Sequence, residues 1–145
     1  MDKEALVEAA VYFVENSKHN YISGEIALSE DLVGMKIFDN PIFAFGSPKD
    51  EYFRSLKKAS AIGNHFLLPI EWLSTSETII SIFLPFTNAI KESNKQDMLW
   101  PSEEWLHGYI EGQALIKNLC LHLKSKLINA GYDSVVPSLD ERFWT

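Results

Sequence analysis

The stretch from Ser102 to Ala130 constrains this chain more than any other. Pro101-Ser102-Glu103-Glu104 is a strong helix start. A serine at the N-cap accepts from free backbone N–H groups, and glutamates in the first turn meet the positive end of the helix dipole. Lys124 and Lys126 stand near the negative end, and Gly131 suits the left-handed residue that closes a helix. The spacing predicts one helix over 102–130, with a core stripe of Leu106, Tyr109, Ile110, Leu115, Leu119, Leu123 and Leu127.

The rest of the chain alternates in type. Residues 3–17 carry Leu6, Val7, Ala10, Val11, Phe13 and Val14 at helical spacing, and the polar run 16–20 ends that helix. Between Tyr21 and Asn40, Ser29-Glu30-Asp31 favours a short turn, and Gly24 and Gly34 are breakers. Pro41 to Gly46 reads as a short buried strand, followed by a second helix that starts near Pro48 and ends at Gly63-Asn64. Its apolar face is Tyr52, Phe53, Leu56 and Ala59. His65 to Trp72 reads as a loop or short turn broken by Pro69. Thr78 to Leu84 is β-branched and almost continuously apolar, which predicts a central strand covered on both faces. Residues 87–100 read as an exposed loop, and Val135-Val136 as a third strand stopped by Pro137. A tail from Asp140 ends in two aromatic residues, Phe143 and Trp144. The expected class is α/β, or α+β, with a small, partly parallel mixed sheet of about three or more strands packed by helices. Residues 1–145 read as a single domain, with no repeat, linker or low-complexity segment.

Composition excludes several functions. Thirteen basic and twenty acidic residues give a net charge of −7, which weighs against nucleic-acid binding, because phosphates need a basic field. The single cysteine, Cys120, allows neither an internal disulfide nor a cysteine-ligated zinc or iron–sulfur site. The acidic N-terminus shows no signal peptide, and no apolar run approaches the ~20 residues of a membrane helix. These features predict a cytoplasmic protein.

The candidate chemistry lies on the long helix. His107 and Glu111, four residues apart, share a face. They read either as half of a metal or proton-transfer site, or as an internal polar pair. Gly108 and Gly112 also share a face, and each costs about 1 kcal/mol relative to alanine inside a helix. They seat either a ligand or the central strand, packed closely against the helix. Asp133 and Asp140 flank the expected third strand and read as general acids or as exposed turn residues. Trp100, just before the helix, suits a lid or an interface anchor. Trp105 suits either that role or core packing. Cys120 reads as a small core residue, and the isolated His65 and His122 as structural or exposed residues. Nucleophile-elbow, phosphate-loop and dinucleotide motifs are missing.

Taken together, several segments resemble one family. They are Pro101 to Gly108, Ile110-Glu111-Gly112-Gln113, Gly131-Tyr132, Val136 to Asp140 and Arg142-Phe143. Upstream, Pro41 to Gly46, Leu67-Leu68-Pro69 with Glu71-Trp72-Leu73, and Ile79 to Phe86 belong to the same pattern. The combination, spread over nearly the whole chain, resembles the N-terminal region of epoxyqueuosine reductase-like iron–sulfur proteins. That resemblance implies a following ferredoxin-like domain with two [4Fe–4S] clusters, and a corrinoid and substrate cleft between the two parts. It implies cofactor or substrate contacts from Trp105, His107, Gly108, Glu111 and Gly112, and proton donation by Asp140. The chain departs from the family in having one cysteine, so the clusters belong to a C-terminal part that it lacks. The expectation is a fragment or a shortened member, with cobalamin as the one cofactor to consider and no metal ligands of its own.

Two roles follow. In the first, the chain is the cluster-free domain of such a redox protein, not catalytic alone, with an apolar face where the ferredoxin-like domain packs. In the second, it is a stand-alone interaction or ligand-binding module that covers the same face by homodimerising. A metal enzyme built on His107 and Glu111 lacks its third and fourth ligands.

Overall fold

The computed structural model describes residues 1–143 and shows a mixed α/β fold with five helices and a two-stranded antiparallel sheet. Trp144, one of the two tail aromatics, lies outside the described residues. In chain order the elements are α1 (Lys3–Asn16), β1 (Ile42–Gly46), α2 (Glu51–Ser55), α3 (Pro69–Trp72), β2 (Ile79–Phe83), α4 (Asn88–Ser93) and α5 (Glu103–Asn129). Short 3-10 turns occupy Lys18–Asn20, Glu30–Leu32 and Pro137–Leu139. The chain divides into two compact units, Met1–Ile42 with Phe83–Leu123, and Phe43–Ile82 with Lys124–Thr145. Among the described residues, no helix is long and apolar enough to cross a membrane.

The first unit holds the core. Asp2 caps α1 by accepting the Ala5 N–H, and Leu6, Ala10 and Val14 are buried along one face of that helix, as their spacing predicts. Ile22, Leu32, Ile37, Phe38 and Ile90 join them, together with Leu115, Leu119 and Leu123 of α5. Isolated antiparallel bridges link Tyr21 with Lys36 and Phe38 with Phe86. Asn20 is fully buried and ties the turn after α1 to Phe38. Its side-chain amide donates to the Val14 carbonyl at 3.1 Å and the Phe38 carbonyl at 3.0 Å, and its oxygen accepts the Phe38 N–H at 2.8 Å.

The second unit holds the two strands apart from their end residues Ile42 and Phe83, and is packed less deeply. With two strands, each is an edge. β1 alternates exposed with half-buried residues, and Phe83 of β2 is 62% exposed. The expectation of a buried strand and a doubly covered central strand is corrected accordingly. No third strand is seen among the described residues. Val135 and Val136 are half-buried but make no ladder, and the sheet is antiparallel, not partly parallel.

Helix lengths differ in two places. α2 stops at Ser55, far short of Gly63, because the Leu56 carbonyl accepts the Ile62 and Gly63 N–H groups in a reversal. Gly63 closes that reversal at φ +121°, a conformation that a side chain would strain. Residues 88–93, read as loop, form α4, whose Ile90 is wholly buried. Pro69, read as a breaker, opens α3 at its first turn, where its missing N–H costs nothing.

Candidate functional site

The start of α5 is fixed from both sides. Ser102 Oγ accepts the Trp105 N–H at 3.1 Å and lies 2.9 Å from Ser93 Oγ of α4, while Asn94 Oδ1 accepts the Ser102 N–H at 3.0 Å. In the preceding loop, Asp97 Oδ1 accepts the N–H groups of Leu99 at 2.8 Å and Trp100 at 3.2 Å. The loop backbone is therefore satisfied locally, and its side chains project outward: Met98 is 99% exposed, Leu99 84% and Trp100 73%.

Five sequence-predicted residues come together on the first turns of α5. Gly108 faces the Phe86 ring, where an added Cβ would lie 2.8 Å from Cε1. Gly112 faces the Phe38 ring, with Cζ at 2.9 Å from such a Cβ. The two rings stack on each other, 5.1 Å between centroids and 5° from parallel. The paired glycines therefore seat a phenylalanine pair from the same chain, and not the expected central strand, which ends at Phe83. The buried stripe runs through His107, Gly108, Gly112, Leu115, Leu119 and Leu123. Tyr109 and Ile110, expected in the core, are 57% and 61% exposed.

His107 is buried beside these rings with both nitrogens engaged. Nε2 accepts the Leu28 N–H at 3.0 Å, so the ring proton sits on Nδ1, which donates to Glu111 Oε2 at 2.8 Å. The pair thus fastens the 23–28 turn to α5, and metal binding at either nitrogen would break one of these bonds. Among the described residues, no group of three or more His, Cys, Asp or Glu side chains is placed to hold a metal ion. His107→Ala removes the acceptor of the part-buried Leu28 N–H and is expected to cost about 1–2 kcal/mol. Hydrogen exchange at the Leu28 amide, compared between variant and parent, would show the loss as local acceleration.

Trp105 stacks on Tyr109, 5.3 Å between centroids, and borders a cleft of about 370 Å³ with Phe86, Ile90, Lys91 and Lys95. That volume is at the low end of the small-molecule range, about 300–1,000 Å³. The glycine seats beside it are filled by Phe38 and Phe86. With Cys120 as its one cysteine, the chain has no cysteine set for an iron–sulfur cluster. Burial also pushes the Cys120 thiol up from its usual range, which disfavours the thiolate.

Asp140 belongs to the second unit, where Arg142 holds it. Nε and Nη2 of Arg142 donate to the two carboxylate oxygens at 2.9 and 3.0 Å, and the Arg142 backbone N–H adds a third bond at 2.9 Å. The guanidinium also donates to the Glu71 and Trp72 carbonyls, at 3.2 and 3.0 Å, and lies 4.9 Å from the Trp72 ring centre. These bonds to Arg142 bring the Asp140 carboxyl down to about 2. In this arrangement Asp140 is ionised at neutral pH and anchors the segment after the 137–139 turn. Asp133 accepts a long bond, 3.5 Å, from Thr75 Oγ1.

The pH dependence has a definite sign. A carboxyl lowered on folding stabilises the folded form fully above its ordinary range and loses that contribution as pH falls toward its folded value. Local opening of residues 137–143 is therefore expected to rise between about pH 4 and pH 2, where Asp140 is lowered from 3.8 to about 2. Asp140→Asn should open more readily at neutral pH and lose that dependence. Trp72 fluorescence against pH, at low and high salt, checks both. The pair is exposed, so salt should weaken it.

Compared with known proteins, the chain matches no family model, no curated protein and no solved structure. Sequence reasoning missed Phe38 and Phe86 as the occupants of the glycine seats, because nothing in the spacing of Gly108 and Gly112 says which residue meets them. It also missed the anchoring role of Arg142, although an Asp-x-Arg spacing after a proline turn was a usable signal.

Proposed function

We propose that this chain is a cluster-free, non-catalytic domain of an epoxyqueuosine reductase-like iron–sulfur redox protein. It would work in the reducing cytoplasm and present the outer surface of α5 to a ferredoxin-like domain. Trp105 would form one side of a substrate or corrinoid cleft that the second domain completes.

One observation carries this reading. Within thirteen residues, Met98, Leu99, Trp100, Tyr109 and Ile110 each stand more than half exposed on a backbone anchored by Asp97 and Ser102. Large apolar side chains gathered on a firm scaffold mark a surface that another polypeptide covers. The polar residues nearby support the same view: His107 and Glu111 bond inward, so this region offers surface rather than acid–base chemistry.

The test is to mix the chain, without oxygen, with a double-[4Fe–4S] ferredoxin-like domain from an epoxyqueuosine reductase-like protein. Light scattering should report a 1:1 complex, weakened about tenfold or more by Trp100→Ser with Ile110→Ser. Hydroxocobalamin added to the same sample should give a saturable shift of the corrinoid bands that Trp105→Ala removes, if the cleft takes a corrinoid. No complex overturns the docking reading, and no shift overturns its corrinoid part.

A further inference from the structure

The charge around the exposed apolar surface says what kind of partner fits it. From Gln96 to Ile116 the chain carries Asp97, Glu103, Glu104 and Glu111 and no Lys or Arg. The bonds that Asp97 and Glu111 accept come from two backbone N–H groups and the imidazole of His107, and not from a lysine or arginine. The imbalance extends over the whole first unit, which holds six Lys and Arg against thirteen Asp and Glu; the second unit has seven of each. All of the net charge of −7 therefore belongs to the unit that bears the apolar surface. Two of its six cations are already paired, Lys36 with Glu15 and Lys95 with Glu92. Lys117, one heptad beyond Ile110, is the nearest cation along the outward side of α5.

We infer that the occupant of the 97–116 surface is a separate polypeptide domain with an apolar centre and a basic rim, and not a second copy of this chain. This deepens the docking reading and rests on it. A two-fold dimer through this surface would set each acidic rim against its own copy, and like charges facing each other across an interface are strongly unfavourable. A nucleic acid or an anionic membrane meets the same repulsion. A lysine- or arginine-rimmed partner reverses it. It draws the pair together at long range and pairs Asp97, Glu103 and Glu104 around buried Met98, Leu99, Trp100 and Ile110. Association then weakens as salt screens the rim, while the apolar centre persists.

Two synthetic amphipathic helical peptides with the same leucine face, one flanked by lysines and one by glutamates, serve as probes against the full chain. By fluorescence anisotropy the lysine peptide should bind saturably and about tenfold or more tighter than the glutamate peptide. Its affinity should fall with added salt, and with Glu103→Gln plus Glu104→Gln. Trp100→Ser should weaken it further. Tyr12→Ser, an exposed change on α1, should leave it unchanged, and light scattering should report a monomer. Equal binding of the two peptides, binding of neither, or a stable dimer of the free chain overturns the inference. If the ferredoxin-like domain binds with no salt dependence, the inference fails and the docking reading stands. If the lysine peptide binds as expected and the ferredoxin-like domain does not, the inference stands and the choice of partner fails.

Discussion

Asn20→Ala is expected to destabilise the chain by about 3–5 kcal/mol, the largest loss from any single polar side chain. Asn20 is fully buried and makes three hydrogen bonds, all to backbone. One satisfies the Val14 carbonyl near the end of α1, where helix carbonyls run out of intrahelical partners. The other two clasp the N–H and the carbonyl of Phe38, while the Asn20 backbone carbonyl accepts the Ile37 N–H at 2.9 Å. Truncation leaves three buried backbone groups unsatisfied, each costing about 1–3 kcal/mol before relaxation. Whole-domain stabilities are about 5–15 kcal/mol, so a large part of the total is at stake. Urea unfolding followed by circular dichroism should show a lower midpoint with the slope unchanged. Asn20→Asp is the informative control. It keeps the acceptor for Phe38 N–H but loses both donors and buries a charge, so it should be no more stable than the alanine variant. An aspartate variant as stable as the parent would show that the two donated bonds contribute nothing.

Asn20 also marks where the sequence stops being legible. It closes a polar run, and nothing in that run separates a solvated asparagine from one buried among backbone groups. The ends of α5 were legible because caps and dipole-matched charges are local: Ser102 and Gly131 act within a few residues of their own positions, whereas the Asp2 cap of α1 was missed. Gly131, at φ +93°, lets the Tyr132 N–H reach back to the Leu127 carbonyl. The strand positions were legible, the first from an apolar run bounded by Pro41 and Gly46 and the second from β-branched residues, but their burial was not, since that depends on how many neighbours a sheet has. Val135 and Val136 have the composition of a strand and no ladder. On α5 the expected stripe was right at Leu115, Leu119 and Leu123 and misplaced at Tyr109 and Ile110. Counting apolar side chains assigns a glycine no face, and here the glycines face the core because rings from Phe38 and Phe86 fill the space above them. Asp140 was read, with Asp133, as a general acid or an exposed turn residue, and its bonds to Arg142 two residues later were not foreseen.

Gly112→Val is expected to cost about 3 kcal/mol, the upper end of overpacking, although valine favours a helix slightly more than glycine does. A Cβ at Gly112 would already lie 2.9 and 3.0 Å from Cζ and Cε2 of Phe38, and valine adds two methyl groups beyond it. The ring has little room to retreat. It stacks on Phe86, which presses on Gly108, and Asn20 grips its backbone. Gly112→Ala tests the balance more finely: about 1 kcal/mol of helix propensity is gained, and the contact should outweigh it, leaving a net loss of about 1–2 kcal/mol. Phe38→Leu removes the atoms nearest the new side chain. Alone it opens a cavity and destabilises. Combined with Gly112→Val it should lose less than the two single losses together, with a favourable coupling of about 1–2 kcal/mol. Urea midpoints for the four proteins complete the cycle. Additive losses would mean that the valine clashes elsewhere and that the ring does not set the seat. A stabilising Gly112→Ala would mean that the ring gives way easily, and the glycine at 112 would then lose its packing explanation. The favourable coupling also bears on the docking surface. Gly112 and Ile110 stand on opposite sides of one helix, so the seat that holds the Phe38–Phe86 pair against α5 also fixes the direction in which Ile110 and its exposed neighbours face.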